Sequence, residues 1–404
     1  MKTNLLITTI IIICSQKTIA QTWTMQNSST TEKLNSLSIN LSYQNNINIW
    51  VAGNNNTGIV TQDSGSSWFP SIVTNADNYG VHFNEYAHGT FVGAASSIMN
   101  TDVGGLWWYP QSASVTPPYY DVWFSDFYNG WIVGADGTLI HTTQGNLWSA
   151  QNSGTTHNLR SLMGVAGNSN EIWAAGDSGV IIHTVNAGTN WNSQTSNTAE
   201  DLKSVYFLNP DTGWVCGTNG TILNTMNGGG NWTIQNSGTN QSLNGIWFLN
   251  SLNGWAVGSN GVIISTGNGG LNWNPEISGV TVNLSAVEFY NQNNGWAVGD
   301  SGTIIKYSPA LTSVENLSVS FSAISLFPDP AENILSLKFN SLLPSEFKVA
   351  IVGADGKTVL TRRLSKFDAG RKTEFIDIKN LKSGAYTLVL STGKQTSKAI
   401  FIKR

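Results

Sequence analysis

Hydrophobic and polar positions along this chain alternate in short runs, and none keeps the 3.6-residue rhythm of a helix. The clearest stretch, residues 254–273, reads Gly-Trp-Ala-Val-Gly-Ser-Asn-Gly-Val-Ile-Ile-Ser-Thr-Gly-Asn-Gly-Gly-Leu-Asn-Trp. Around it four strands are predicted, at 243–249, 255–258, 262–266 and 272–277, each bounded by the Gly, Asn and Ser that make turns. The pattern recurs with an anchor aromatic at Trp50, Phe91, Trp131, Trp173, Trp214, Trp255 and Trp296, spaced by 41, 40, 42, 41, 41 and 41 residues. A fixed period of this size with four strands per unit is that of a propeller blade.

A second tryptophan follows the anchor in six copies, at Trp68, Trp107, Trp148, Trp191, Trp232 and Trp273. The seventh copy stops at Lys306-Tyr307, before its fourth strand. Residues 21–28, Gln-Thr-Trp-Thr-Met-Gln-Asn-Ser, repeat the pattern of 231–237, Asn-Trp-Thr-Ile-Gln-Asn-Ser. Pairing that N-terminal segment onto the last unit would close the ring and remove an open sheet edge. The predicted fold is all-β: a seven-bladed β-propeller over residues 21–308, its blade seven closed by an N-terminal strand.

Composition adds a leader and a second domain. Residues 1–20 carry Lys2, an apolar run and Thr18-Ile19-Ala20, the pattern of a secretory signal peptide cut between Ala20 and Gln21. Cys14 follows Ile13, where lipid attachment would need a small residue. Cys216 lies in a strand and is expected to be buried. Residues 21–308 hold 16 Asp and Glu against 4 Lys and Arg, a net of −12, and all 16 Trp. Residues 309–404 hold 8 acids against 14 bases, a net of +6, and no Trp. The switch predicts a linker at 309–325 and a separate domain at 326–404. An acidic propeller offers no footprint for nucleic acid. A monomer is expected.

The turn before the second tryptophan has its own signature. It places Asp63, Gly65 and Trp68 in the first copy and Asp102 and Trp107 in the second. Later copies carry Asn186 with Trp191, Asn227 with Trp232, and Asn268 with Trp273. An Asp or Asn there can cap backbone amides, the glycine accepts positive φ, and the tryptophan covers the turn. Asp136, Asp177 and Asp300 belong to a second hairpin turn, between strands two and three. These turns resemble the Asp-box of bacterial neuraminidase repeats, and the Gly-Trp-Ala-Val-Gly half resembles photosystem II stability/assembly-factor-like propellers. The resemblance implies the fold.

Asp-box families include sialidases, whose chemistry clamps a carboxylate with three arginines; this propeller has only Arg160. A glycoside hydrolase needs only two facing carboxylates, and Asp77, Glu85, Asp121, Glu200, Asp201, Glu276 and Glu288 lie outside the repeated turns as read here. His141 and His183 share one strand position, which repeat geometry explains without a metal. No cofactor motif is present. Binding is the leading expectation, with the hydrolase and a ligand-free structural propeller as alternatives. The innermost strand varies from copy to copy at Ser42, His82, Trp123, Ala166, Tyr206, Trp247 and Glu288, and the loops before it add Tyr119, Tyr120, Asp121, His157 and Arg160. Aromatics with scattered polar groups suit a glycan or a protein ligand. Packing between blades is the competing role for Trp123, Tyr206 and Trp247.

Residues 326–404 predict a small Ig-like β-sandwich, with strands at 333–339, 347–352, 358–364, 385–391 and 399–402 and a hairpin at Asp355-Gly356. Leu326-Phe327-Pro328-Asp329-Pro330-Ala331, residues 353–357, Asn380-Leu381-Lys382-Ser383-Gly384-Ala385-Tyr386 and the terminal Phe401-Ile402-Lys403-Arg404 closely resemble the C-terminal sorting domain of the type IX (Por) secretion system of Bacteroidota. The family usually has Asn where Asp329 stands. The resemblance implies passage across both membranes, engagement of the type IX machinery, and release or display at the cell surface.

Overall fold

In a computed structural model, residues 22–42, 46–71, 76–84, 87–308, 324–341, 345–367, 370–392 and 396–404 are described. The predicted signal peptide, its Ala20–Gln21 cleavage point and Glu85 lie outside these residues. Two compact units divide the chain between Ala310 and Leu311.

The first unit contains seven four-stranded antiparallel sheets. Their inner strands are Leu34–Leu41, Asn78–Phe83, Tyr119–Phe124, Leu159–Val165, Leu202–Phe207, Leu243–Phe248 and Leu284–Asn291, one per blade in chain order. In blades 1 to 6 the strands follow outward in sequence. Blade 7 runs Leu284–Asn291, Asn294–Gly299 and Ile304–Ser308, and its outer strand is Thr22–Gln26. Trp23 pairs with Tyr307 and Thr24 with Lys306 in that strand, so the two ends of the propeller sequence meet in one sheet.

Aromatic seams between blades explain the repeat. The last five residues of each second strand, as in Gly254–Gly258, are all buried. In blades 4, 5 and 6 the anchor tryptophan stacks on the inner-strand phenylalanine of the next blade: Trp173 on Phe207 at 3.7 Å, Trp214 on Phe248 at 3.5 Å, Trp255 on Phe289 at 3.7 Å. That phenylalanine also meets its own blade's second tryptophan edge-on, as in Phe207–Trp232 and Phe248–Trp273. Trp23 repeats the contact on Phe289 at 5.8 Å, so the N-terminal strand supplies the second tryptophan of blade 7. A glutamine clips the seam. Trp232 Nε1 donates to Gln194 Oε1 of the preceding blade, and Gln194 Nε2 donates to the Gly228 carbonyl.

Blade 2 corrects the sequence reading by one residue. Its second strand is Gly89–Gly93, and Thr90 pairs with His82 as Trp255 pairs with Trp247. Thr90 therefore holds the anchor place and bonds the buried Asn100, while Phe91 stands one position further on, against Trp108. The second tryptophan shifts likewise. Trp108 meets Phe83 and donates to Ser71, whereas Trp107 is 76% exposed. Thr101 Oγ1 accepts from Val103 and Gly105, so Val103 occupies the box position and not Asp102. The flanking glycines carried the true alignment; the aromatic and the acid were decoys.

The second unit packs a three-stranded sheet and a four-stranded sheet. Leu335, Leu337, Phe347, Val349, Ile351, Ile376, Leu388, Leu390 and Phe401 fill its core. It includes a strand the sequence reading left out, Gly370–Asp377, paired to Ile334–Ser341. Four charged residues, Arg371, Lys372, Glu374 and Asp377, crowd that segment, and among its described side chains only Ile376 is buried. Asp329 Oδ1 accepts the Ile402 N–H at 2.8 Å, a role any side-chain oxygen at this position fills.

Candidate functional site at the channel mouth

Every inner strand opens with the same irregularity. Its second residue has no pairing partner, because the register slips between the first residue and the third. A bulge of this kind re-aims a side chain. The seven unpaired residues are Asn35, Tyr79, Tyr120, Arg160, Lys203, Asn244 and Ser285, and all seven line one cavity of about 640 Å³ at the end of the central channel. Below them lies a narrower cavity of about 300 Å³.

The fifth residue of each inner strand forms a deeper ring. It contains His82, Trp123, Tyr206, Trp247 and Glu288 as expected from sequence, but Ser38 and Met163 replace Ser42 and Ala166. Blades 1 and 4 extend their first hairpin, so a fixed count from the anchor lands beyond the ring. Tyr119 is fully buried and donates to the Val115 carbonyl, which takes it out of the site. Trp123 reaches toward Gly164, the one blade position where glycine replaces the seam aromatic. Tyr206 is also buried and stands edge-on to Trp247 at 4.7 Å. The Trp247 indole N–H is buried with no partner among the described residues.

Polar ring members hold neighbouring blades together. Ser38 Oγ accepts the Phe83 N–H, His82 Nδ1 the Phe124 N–H at 3.3 Å, and Glu288 Oε2 the Ile39 N–H at 3.2 Å. One level up, Asp121 Oδ2 accepts the Leu162 N–H at 3.0 Å, Ser161 the Val205 N–H and Ser204 the Ile246 N–H. Burial shapes their charge. It pushes Asp121 up to about 6 and Glu288 up to about 8. It presses His82 down to about 3, helped by His88, and raises the Tyr206 phenol, helped by Glu288.

Arg160 and Lys203 bring positive charge to the mouth. Arg160 donates from Nε and Nη2 to both Asp177 oxygens at 2.7 and 2.8 Å and sits over the Tyr120 ring at 4.8 Å. Lys203 Nζ donates to Asn244 Oδ1 at 3.1 Å and Ser242 Oγ at 3.4 Å.

Most acids that sequence set apart are repeat positions after all. Asp77 and Asp201 accept turn amides from Asn55 and Ser178, as Asn158 and Asn283 do in other blades. Glu200 binds Thr218 and Asn219, where Gln241 binds Asn260. Glu276 holds the clip position of Gln235 and accepts from Trp23 Nε1 at 2.7 Å. Among the described residues of that set, Asp121 and Glu288 line the deeper cavity and Asp201 the mouth. His141 and His183 stack on their blades' anchors, Trp131 and Trp173, at 4.3 Å each. In the box turns, Asp63 Oδ1 accepts the Ser67 N–H, and Asn186, Asn227 and Asn268 repeat the bond to residues 190, 231 and 272. Trp68, Trp191 and Trp273 each donate to a preceding-blade glutamine.

The comparisons agree with this architecture. Residues 112–197, 190–275 and 239–308 match the family model "Photosynthesis system II assembly factor YCF48", and residues 325–404 match "Secretion system C-terminal sorting domain". No curated protein matches the chain. Among solved structures, "YCF48 bound to D1 peptide" is similar at 19% identity, covering 73% of this chain and 99% of that one, with TM-score 0.60. YCF48 from Cyanidioschyzon merolae follows at 17% identity, 71% and 99% coverage and TM-score 0.61. The WD40 β-propeller domain of Doa1 reaches 12% identity, 72% and 98% coverage and TM-score 0.58. At such identities these structures show the fold. The C-terminal match indicates export by the type IX system toward the cell surface or the outside. The chain thus carries a β-propeller whose residues 112–308 match the photosystem II assembly-factor repeat model, joined to a C-terminal domain that matches the sorting-domain model of the Por secretion system.

Proposed function

We propose that this is a secreted or surface-displayed propeller that binds a glycan or protein ligand over its channel mouth. Residues 1–20 are its export signal, 21–308 its working domain and 309–325 a linker. Residues 326–404 engage the type IX machinery and are then removed. The carrying observation is the ring of bulged residues. One side chain from every blade is freed from sheet pairing and directed to a single cavity, and these seven differ in chemistry where the seams are monotonous. A fold neighbour recorded with a D1 peptide keeps peptides in scope alongside sugars. The test is a glycan and peptide array probed with the full chain, with reducing ends assayed for each hit. Binding without release, lost in Tyr79→Ala or Tyr120→Ala and kept in Trp107→Ala, is expected. Binding indifferent to the mouth variants would refute the assignment. Asp121 and Glu288, two carboxyls raised in one channel, favour hydrolysis as the second reading. Release abolished by Asp121→Asn would establish it.

A further inference from the structure

The whole propeller has four basic residues, and three of them, Lys33, Arg160 and Lys203, line the same mouth. The fourth, Lys306, is spent elsewhere, donating to the Ser64 carbonyl beside the Trp296 ring. Two acids, Asp177 and Asp201, share the mouth, which leaves it one positive charge in a propeller of net −12. The two best-placed cations are not equivalent. Asp177 takes up Arg160 with two hydrogen bonds. Lys203 is half-buried and bonds only neutral oxygens of Asn244 and Ser242; among the described residues no carboxylate lies within 4.0 Å of it. Asp201 acts on it only from beyond that distance, and a partly desolvated ammonium with no carboxylate in contact attracts an anion strongly.

We infer that the mouth takes a carboxylated sugar, a uronate residue, with Lys203 as its carboxylate-binding cation. This rests on the mouth being the ligand site. Tyr79 and Tyr120, their rings 6.0 Å apart, offer apolar faces for a pyranose, and Asn35 and Ser285 offer partners for its hydroxyls. The volume of about 640 Å³ suits a small ligand rather than a chain laid across the face. An extended peptide would look for a free strand edge. Here the inner-strand amides of Ile39, Phe83, Phe124, Leu162, Val205 and Ile246 are already bonded to side chains of the preceding blade.

The experiment is calorimetry on the full chain with trimers of galacturonate, glucuronate and mannuronate, each beside its methyl ester. At least one acid trimer is expected to bind, its ester about tenfold or more weaker, as loss of one charge-assisted bond implies. Lys203→Gln should cost a similar factor with Tm unchanged, and Lys203→Arg should restore most of it. Absence of binding by all three acids, or equal binding of acid and ester, overturns the uronate assignment. If Tyr120→Ala abolishes binding while Lys203→Gln and the ester behave like wild type, the mouth stands as the site and only the charge argument falls. If none of these variants matters, both fall. A peptide carboxylate that displaces the sugar through Lys203 would reassign the site to peptides.

Discussion

Two adjacent tryptophans in blade 2 separate packing from composition at the scale of single residues. Trp108 fills the seam against Trp50 at 5.7 Å and Phe91 at 5.0 Å, while Trp107 is 76% exposed. Trp108→Ala is therefore expected to cost about 2–4 kcal/mol, from lost burial and the cavity left behind. Trp107→Ala should stay within about 0.5 kcal/mol. Denaturant titrations of the two variants check this, and equal losses would refute the alignment. Glu288 makes a pH prediction. Its carboxyl titrates near 4.5 when unfolded and at about 8 when folded, so between those values the native state holds a proton that the unfolded state has released. The stability it contributes is complete below 4.5 and is lost as pH rises through 8, on the order of 5 kcal/mol at most. Glu288→Gln keeps an acceptor for Ile39 without ionising, so its melting temperature should fall less between pH 5 and 8. A parallel pH profile would show that Glu288 is not buried as described. His82 acts with the opposite sign. Its folded value of about 3 lies below the ordinary 6.5, so its contribution is present above 6.5 and is lost as pH falls toward 3.

Strands show what the sequence made legible and what it hid. The closing strand could be read because Trp23 and Gln26 copy side chains whose duties recur in every blade. Trp23 meets Phe289 edge-on, and Gln26 accepts from Trp68 as Gln194 accepts from Trp232. Identical work by identical residues at a constant spacing makes a periodic signal. The mouth was less legible, for the same reason inverted. Tyr120 and Arg160 drew notice as unusual residues in loops, yet Lys203, Asn35 and Asn244 did not, because their common feature is a register slip that leaves no mark on composition. The acids Asp77, Glu200, Asp201 and Glu276 misled in the other direction. They replace Asn or Gln at repeat positions, and a charge looks exceptional where the geometry is ordinary. The closing strand has a direct test. Trp23→Ala should cost about 3–5 kcal/mol, since the indole is 6% exposed among Phe289, Tyr307 and Trp255. Removing residues 22–28 should do more, leaving Ile304–Ser308 as an unpaired edge. Loss of the cooperative thermal transition and concentration-dependent association by light scattering are expected. A monomer with the parent melting curve would mean that another segment closes the ring.

Over the whole molecule, two domains with opposite charge divide the labour between them. The propeller is held by seam aromatics and by side-chain acceptors that take an inner-strand amide of the next blade in six of the seven blades, so its stability comes from the ring and its variation is free to collect at the mouth. The C-terminal sandwich has its own buried core, in which the chain terminus is a structural strand: Thr396–Lys403 pairs along its length with Gly384–Ser391, and Phe401 is fully buried. The Arg404 N–H donates to the Ala331 carbonyl and the Ala331 N–H to the Ile402 carbonyl, tying the last residues to the Pro328-Asp329-Pro330 segment. The first and last motifs of this domain meet only in the sandwich, which predicts a sorting signal read as a folded surface. Removing residues 326–404 should therefore hold a folded propeller in the periplasm. A point change in the core that links those motifs, Phe401→Asp, should do the same by placing an unpaired charge among Leu388, Leu390 and Val349. Cell fractionation with antibody to the propeller measures both. Retention of the deletion with normal export of Phe401→Asp would mean that the signal is read as a linear peptide, and export of both would sever the C-terminal domain from sorting altogether.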